Sequence, residues 1–260
     1  MSSLLDPYFV RISFTGPTEP TLNTLRGVVA AHNRSIPFEN LDIRLGRAIR
    51  IDSDSVFAKL VTAKRGGYCF EQNRLFRDAL TALGFDPKPL LARVWLGSGA
   101  PGDAVDTPPL THTLVLLDLG GEAWIADAGF GGGYGPAMPL VDGAEGVAPD
   151  GATYRLTRDP VFHWVLWRTG QMVGDAPVAQ FSFAAEPVAE SDLALSNHWT
   201  STAPGTRFVT MTMATIPLPR GFANLIDREY LRIVGTEVTK ATIEDPRVYR
   251  MRLSLMFGLD

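Results

Sequence analysis

The hydrophobic period of this chain changes sharply near residue 85, which limits it to a helical block followed by a sheet. Before that point Leu22, Leu25, Val28, Val29 and His32 recur at helical spacing, behind a Pro17 to Pro20 stretch suited to a loop. Ser53 and Ser55 stand where they could cap the run Val56 to Val61. Phe76, Ala79, Leu80 and Leu83 form a further helical stripe, and Gly84 is placed to stop it.

After Pro87 the pattern becomes that of strands. Leu90 to Leu96 is an extended apolar run, and the Gly-, Pro- and Asp-rich Gly97 to Pro109 reads as a loop. Thr111 to Leu119 and Glu122 to Asp127 flank Gly120-Gly121, a hairpin signal. Strand-like pieces follow at Thr153 to Leu156, Val161 to Arg168 and Val178 to Phe183, enough to close into a barrel. Near Glu190 the character shifts again. Ser191 to Trp199 suits a helix capped by Ser191 or Asp192, Arg207 to Thr215 and Tyr230 to Val234 alternate like strands, and Pro246 to Phe257 carries a helical stripe. The expectation is an α+β protein with units at 1–85, 86–190 and 191–260.

Composition excludes several function classes. The 260 residues are 45% hydrophobic and 20% charged, ordinary for a globular chain. A formal charge of −4 and the lack of a long Lys/Arg cluster argue against nucleic acid. One cysteine argues for a reducing compartment. The N-terminus lacks a basic, then apolar, leader, and no apolar run reaches membrane-spanning length, so a cytoplasmic protein with no membrane partner is expected.

That single cysteine, Cys69, lies in Arg65-Gly66-Gly67-Tyr68-Cys69-Phe70-Glu71-Gln72-Asn73. A thiol reacts as its thiolate, and a helix start or a nearby cation lowers its pKa. The two glycines permit a tight turn and close approach to a substrate, and the first amides of the helix can face an oxyanion. The plain alternative is a buried, inert cysteine. A catalytic thiol needs a histidine base steered by a carboxylate or amide. Of four histidines, His32 sits on a helical stripe, at the surface or partly buried. His163, between Phe162 and Trp164, reads as structural, and His198 lies near a helix end. His112 differs. Pairing about the Gly120-Gly121 turn sets Leu114 opposite Asp127, with His112 two residues away on the same face. His112 and Asp127 are then diagonal neighbours about 7–8 Å apart at the backbone, within side-chain reach. A slip of one residue would separate them.

The glycines after Asp127, at 129 and 131–133, suit close backbone approach, and no Gly-Lys-Ser/Thr follows to make a phosphate loop. The sequence has no Cys-x-x-Cys or His-Glu-x-x-His pattern, so no metal is expected. Arg65, Glu39 and Glu71 read as structural ion pairs, with Arg65 and Glu39 stiffening the thiol loop.

Ile36-Pro37-Phe38-Glu39-Asn40-Leu41, the cysteine segment, Thr111-His112 and Asp127-Ala128-Gly129-Phe130-Gly131 together resemble the arylamine N-acetyltransferases of prokaryotes. The likeness extends through Ser201 to Phe208. It implies a helical bundle, a β-barrel and an α/β lid around a papain-like Cys69-His112-Asp127 triad. It also implies ping-pong transfer from acetyl-coenzyme A to an arylamine, arylhydroxylamine or hydrazine. By matching position, Phe38, Val94 and Phe130 would line the acceptor pocket, and Thr111, Gly131 and Phe208 would meet coenzyme A. The rival readings are an amide synthase or thiol hydrolase with the same triad, and a non-catalytic binding module. Homo-oligomerisation is left open.

Overall fold

The computed structural model describes residues 4–96, 98–102, 106–132, 134–170, 174 and 176–259. The expected 97–109 loop and the glycine at 133 therefore lie partly or wholly outside the described residues.

The first third is helical, as its period requires: α1 (Leu5–Ile12), α2 (Leu22–Ser35), α3 (Leu41–Arg44), α4 (Ser53–Phe57) running into a π-helical turn at Ala58–Thr62, and α5 (Cys69–Ala82). A two-residue strand, β1 (Phe38–Glu39), interrupts them. Thr21 caps α2 through its hydroxyl. Asp52, and not Ser53 or Ser55, caps α4: its carboxylate, one residue earlier, accepts from Ser55 N at 3.0 Å. Gly84, at φ 89°, follows the end of α5 in the left-handed conformation that a glycine tolerates.

The centre is one antiparallel sheet of eight strands. They are β2 (Lys88–Val94), β3 (Leu110–Leu119), β4 (Glu122–Ala126), β5 (Met138–Pro139), β6 (Glu145–Val147), β7 (Thr153–Asp159), β8 (His163–Thr169) and β9 (Val178–Phe183), in the order β5-β4-β3-β2-β9-β8-β7-β6. The end strands β5 and β6 are not paired to each other, so the barrel is nearly rather than fully closed. They do meet: a Cβ built on Gly146 would stand 3.7 Å from Met138 Cγ. The β3–β4 turn has Gly120 at φ 69° and Gly121 at φ 87°, the two positive angles of a type I′ hairpin. Its register, Leu119 with Glu122 through Val115 with Ala126, is the expected one. Alternation along β3 then divides two cores. Val115 and Leu117 pack with the helices, while Leu114 points into the barrel with Ile125 and Phe181.

The last third holds α6 (Glu190–Thr202), α7 (Arg207–Thr210), β10 (Met213–Leu218), β11 (Gly221–Ile226), β12 (Glu229–Val234), β13 (Glu237–Thr242) and α8 (Pro246–Phe257). Its sheet runs β1-β10-β11-β12-β13, with Phe38 opposite Thr215. Two expectations need correction. Helix α6 starts one residue early, behind Ala189, whose N–H donates to Asp192 at 3.1 Å. Arg207 to Thr215 is not one strand. Its first residues coil because Val209 N and Thr210 N both bond to Thr206 O at 3.0 Å. The strand begins only at Met213. No described helix is long and apolar enough to cross a membrane.

The β11–β12 pair leaves no room at Gly221, where a Cβ would lie 1.9 Å from the Ile233 carbonyl oxygen. Gly221→Ala should therefore lower stability by about 1–3 kcal/mol, the range for overpacking a tight site. A denaturant midpoint equal to wild type would refute this contact.

Candidate active site

Everything in the site hangs from the first turn of α5. Cys69 is its first residue and is 2% exposed. The Sγ–H donates to the carbonyl of Thr111 at 3.6 Å. That carbonyl is available because β3 bulges: Ala92 pairs with His112 and Arg93 with Leu110, so Thr111 is skipped. A bulge here re-aims the chain at the thiol.

His112 is 2% exposed, and its Nε2–H donates to Asp127 Oδ2 at 2.6 Å. The imidazole packs against the rings of Phe130 and Phe181, with centroids 5.0 and 5.1 Å away, and those two rings touch each other at 5.2 Å. With Nε2 engaged by the carboxylate, Nδ1 is the nitrogen able to act as a base. Asp127 is held in turn. Its Oδ1 accepts from Asn73 Nδ2 at 2.9 Å and from Gly129 N at 2.8 Å.

Burial pushes the Cys69 thiol pKa up, and the negative Asp127 adds to that shift. The amides of Phe70 and Cys69 at the helix start pull it down and do not prevail. The helix start alone therefore does not make the thiolate.

The glycines have a different use from the one their sequence suggests. Gly66 and Gly67 make close contact with protein, not with open space. A Cβ would lie 2.4 Å from Pro37 O at the first and 2.8 Å from Glu71 Oε2 at the second. Gly129 packs on Cys69 itself, where an added Cβ would lie 2.9 Å from the Cys69 Cα, and Gly131 packs on the Phe38 ring. The Asp127-to-Gly131 segment can pass the thiol only without side chains at these two positions.

Charged groups brace the thiol loop. Arg65 Nη2 bonds Glu39 Oε1 at 3.1 Å, the pair read from sequence, and also Asp42 at 3.3 Å. Lys59 Nζ joins Glu71 at 2.7 Å and Asp42 at 2.8 Å. Burial carries Glu71 up to about 7 although Lys59 opposes it.

A cavity of about 490 Å³ opens over the sulfur. Cys69, His112, Phe38, Val94, Phe130, Thr111, Gly131 and Phe208 all line it. Asp127, the remaining candidate, lies behind His112.

The N-acetyltransferase family model matches residues 21–260. An arylamine N-acetyltransferase of Escherichia coli K12 is 39% identical over 222 residues, covering 85% of this chain and 75% of that protein. This chain belongs to the arylamine N-acetyltransferase family. A Salmonella typhimurium member, described as an arylamine N-acetyltransferase / N-hydroxyarylamine O-acetyltransferase, is 34% identical over 269 residues, 100% of this chain and 90% of its own. The solved Salmonella typhimurium structure superposes with a TM-score of 0.91 at 32% identity, covering 100% of this chain and 92% of that one. The Mycobacterium marinum family member in complex with CoA gives 0.88 at 33% identity, covering 98% and 92%.

Sequence reasoning assigned no role to Asn73, Gln72 or His32. Asn73 Nδ2 also donates to Thr113 O at 2.6 Å, and its Oδ1 accepts from Ala128 N at 3.0 Å. Gln72 Nε2 donates to Pro37 O at 2.9 Å and Gly67 O at 3.2 Å, so its Oε1 is the acceptor for His32 Nε2–H at 2.7 Å. His32 Nδ1 then accepts from the Tyr8 hydroxyl at 2.9 Å. His32 is wholly buried, against the surface or part-buried position expected for it, and burial lowers its pKa to about 4, keeping the ring neutral. His163 is exposed at the start of β8 and adopts φ 63°. The signal for the missed residues was helical spacing: Asn73 is four residues, one turn, from Cys69.

Asn73→Ala would remove one of the two donors to Asp127 Oδ1 and the side-chain partners of Thr113 O and Ala128 N. Each buried group left unpaired costs about 1–3 kcal/mol. The variant should therefore unfold at markedly lower denaturant and lose activity beyond its loss of folded protein. Wild-type turnover per folded molecule would show that Asp127 is steered without it.

In the folded chain Glu71 titrates at about 7 instead of 4.5. Between those values the native state holds a proton that the unfolded chain has released. The stability Glu71 contributes is complete below about pH 4.5 and is lost as pH rises through about 7. Glu71→Gln should flatten the fall in denaturant midpoint across that window, and an unchanged slope would assign the titration to another group.

Proposed function

We propose that this family member transfers an acetyl group from acetyl-coenzyme A to arylamines, arylhydroxylamines or hydrazines through an acetyl-Cys69 intermediate. The observation that carries the reading is the convergence at one cavity of a buried sulfur and an imidazole whose far nitrogen is bound at 2.6 Å to Asp127. The neighbour in complex with CoA supports the donor, and the Salmonella relative's second activity supports oxygen as a further acceptor.

The Cys69 proton moves from Sγ to His112 Nδ1. A lone thiolate is disfavoured by burial and by Asp127, but Asp127 stabilises the imidazolium that forms with it. The triad's net charge does not change, so the pair ionises together where neither group would alone. Cys69 Sγ attacks the thioester carbonyl, and the first amides of α5 meet the oxyanion. As the carbon–sulfur bond to coenzyme A breaks, His112 returns its proton to the departing thiol. Acetyl-Cys69 remains. In the second half, His112 Nδ1 takes a proton from the amine as the nitrogen–carbon bond forms and the bond to Cys69 Sγ breaks. Weakly basic aryl amines suit this step because they are neutral, nucleophilic bases near pH 7. Phe38, Val94 and Phe130 give the acceptor an aromatic and aliphatic wall, and Thr111, Gly131 and Phe208 face the donor.

Intact-mass analysis tests the scheme. Wild type incubated with acetyl-coenzyme A should gain one acetyl group, which an aromatic amine then discharges as the N-acetyl product. Cys69→Ala should gain none. Retention of the label by that variant would overturn the assignment of the nucleophile. Discharge by water as fast as by amine would favour a hydrolase.

A further inference from the structure

Among the described residues no carboxylate lines the catalytic cavity, although the chain carries 28 Asp and Glu residues and a net charge of −4. Two guanidinium groups do line it, Arg168 and Arg207. They are not equivalent. Arg168 is 2% exposed and salt-bridged to Asp150, so its charge is matched inside the protein. Arg207 is the first residue of α7, beside Phe208. Among the described residues it has no acidic partner and no side-chain hydrogen bond. Nearby protein lowers its pKa by desolvation, with no anion to offset that shift. Arg44, which reaches the same helix, is by contrast engaged with the Val209 carbonyl and with Thr212.

Arg207 is exposed to solvent on the cavity lining, so its guanidinium, with no matching anion among the described residues, is accessible to a ligand. It lines the same cavity as the thiol and is next to Phe208. An anionic ligand group arriving with the donor would satisfy it, and a planar guanidinium matches phosphate oxygens in geometry. Extended away from its thioester, coenzyme A carries a pyrophosphate and a 3′ phosphate.

We propose that Arg207 anchors a phosphate of the acyl donor and so selects coenzyme A thioesters over uncharged acyl donors. This rests on the donor reading above. Arg207 is a specificity-determining residue that touches the remote end of the donor and leaves the chemistry at Cys69 to the triad. The interaction is exposed to salt, so the donor KM should rise with ionic strength.

The test compares acylation of wild type, Arg207→Gln and Arg207→Lys by three donors: acetyl-coenzyme A, acetyl-dephospho-coenzyme A, and S-acetyl-N-acetylcysteamine, a thioester without phosphate. In Arg207→Gln the ratio of kcat/KM for acetyl-coenzyme A to that for the cysteamine thioester should fall about ten-fold, the worth of about one charge-assisted hydrogen bond. The change should sit in KM, lose its salt dependence, and be partly rescued in Arg207→Lys. If the dephospho donor shows the same loss, the pyrophosphate is the partner; if it shows none, the 3′ phosphate is. Either result supports the anchor. An unchanged ratio, or equal losses with every donor, overturns it and leaves Arg207 a residue that only supports α7. Wild type that is acylated by the cysteamine thioester but not by acetyl-coenzyme A would defeat the donor reading and Arg207's role with it. That failure is distinct, because it appears before any substitution is made.

Discussion

The hydrogen bond from Asn73 Nδ2 to Asp127 Oδ1 fastens the helical block to the sheet at the one place where both must be in register. The sulfur belongs to a helix and the imidazole to a hairpin. Each element folds by its own period, and neither fixes its distance to the other. Asn73 couples them because it lies one helical turn from Cys69 and faces the same way. It binds Thr113 O and Ala128 N as well, so it grips β3 and the exit of β4 together. The absence of a side chain at Gly129 lets that exit lie against the Cys69 backbone. A larger residue there would push the carboxylate from the helix and loosen the imidazole with it.

The same closeness creates an electrostatic conflict. Burial that excludes water from Cys69 also penalises its ionisation, and Asp127, which steers His112, repels a thiolate. In the proposed scheme the conflict is relieved by moving the proton within the site, from sulfur to ring. The carboxylate that disfavours an isolated thiolate favours the ion pair. Packing of the imidazole against Phe130 and Phe181 strengthens the attraction by keeping water away. Around the thiol loop the opposite arrangement holds. There Glu39, Asp42 and Glu71 share Lys59 and Arg65, and this network supports the backbone without lining the cavity.

What could be read from sequence was whatever a short period or a turn determines. Gly120-Gly121 fixed the β3–β4 register, and the register put His112 and Asp127 on one face. Strands lacking alternation were missed. β11 is buried on nearly all its length and β13 is exposed on all of it, so neither shows a period of two. At 207–212 alternation was present without a strand, because Thr206 and Asn40 satisfy that backbone another way: Asn40 Nδ2 donates to the carbonyls of Phe208 and Met211. The buried His32-Gln72 chain was illegible for a different reason. A helical stripe says which face is covered and nothing of the partner, and Tyr8 is 24 residues away.

The two-residue strand β1 explains how the last third of the chain can bear on a thiol presented by the first. Phe38 pairs with Thr215 of β10 on one side and bridges Gly67 on the other, where Glu39 N donates to Gly67 O at 3.1 Å. The segment just before Cys69 is thus hydrogen-bonded, through a single short strand, to the C-terminal sheet. Side chains follow the same path, since the Phe38 ring lies 6.1 Å from that of Phe208 and directly over Gly131. A displacement of β10 must therefore move Phe38 and, with it, the loop that carries the sulfur. Those backbone bonds make the cavity a shared property of helix, barrel and C-terminal sheet, so its shape cannot be altered from one side alone.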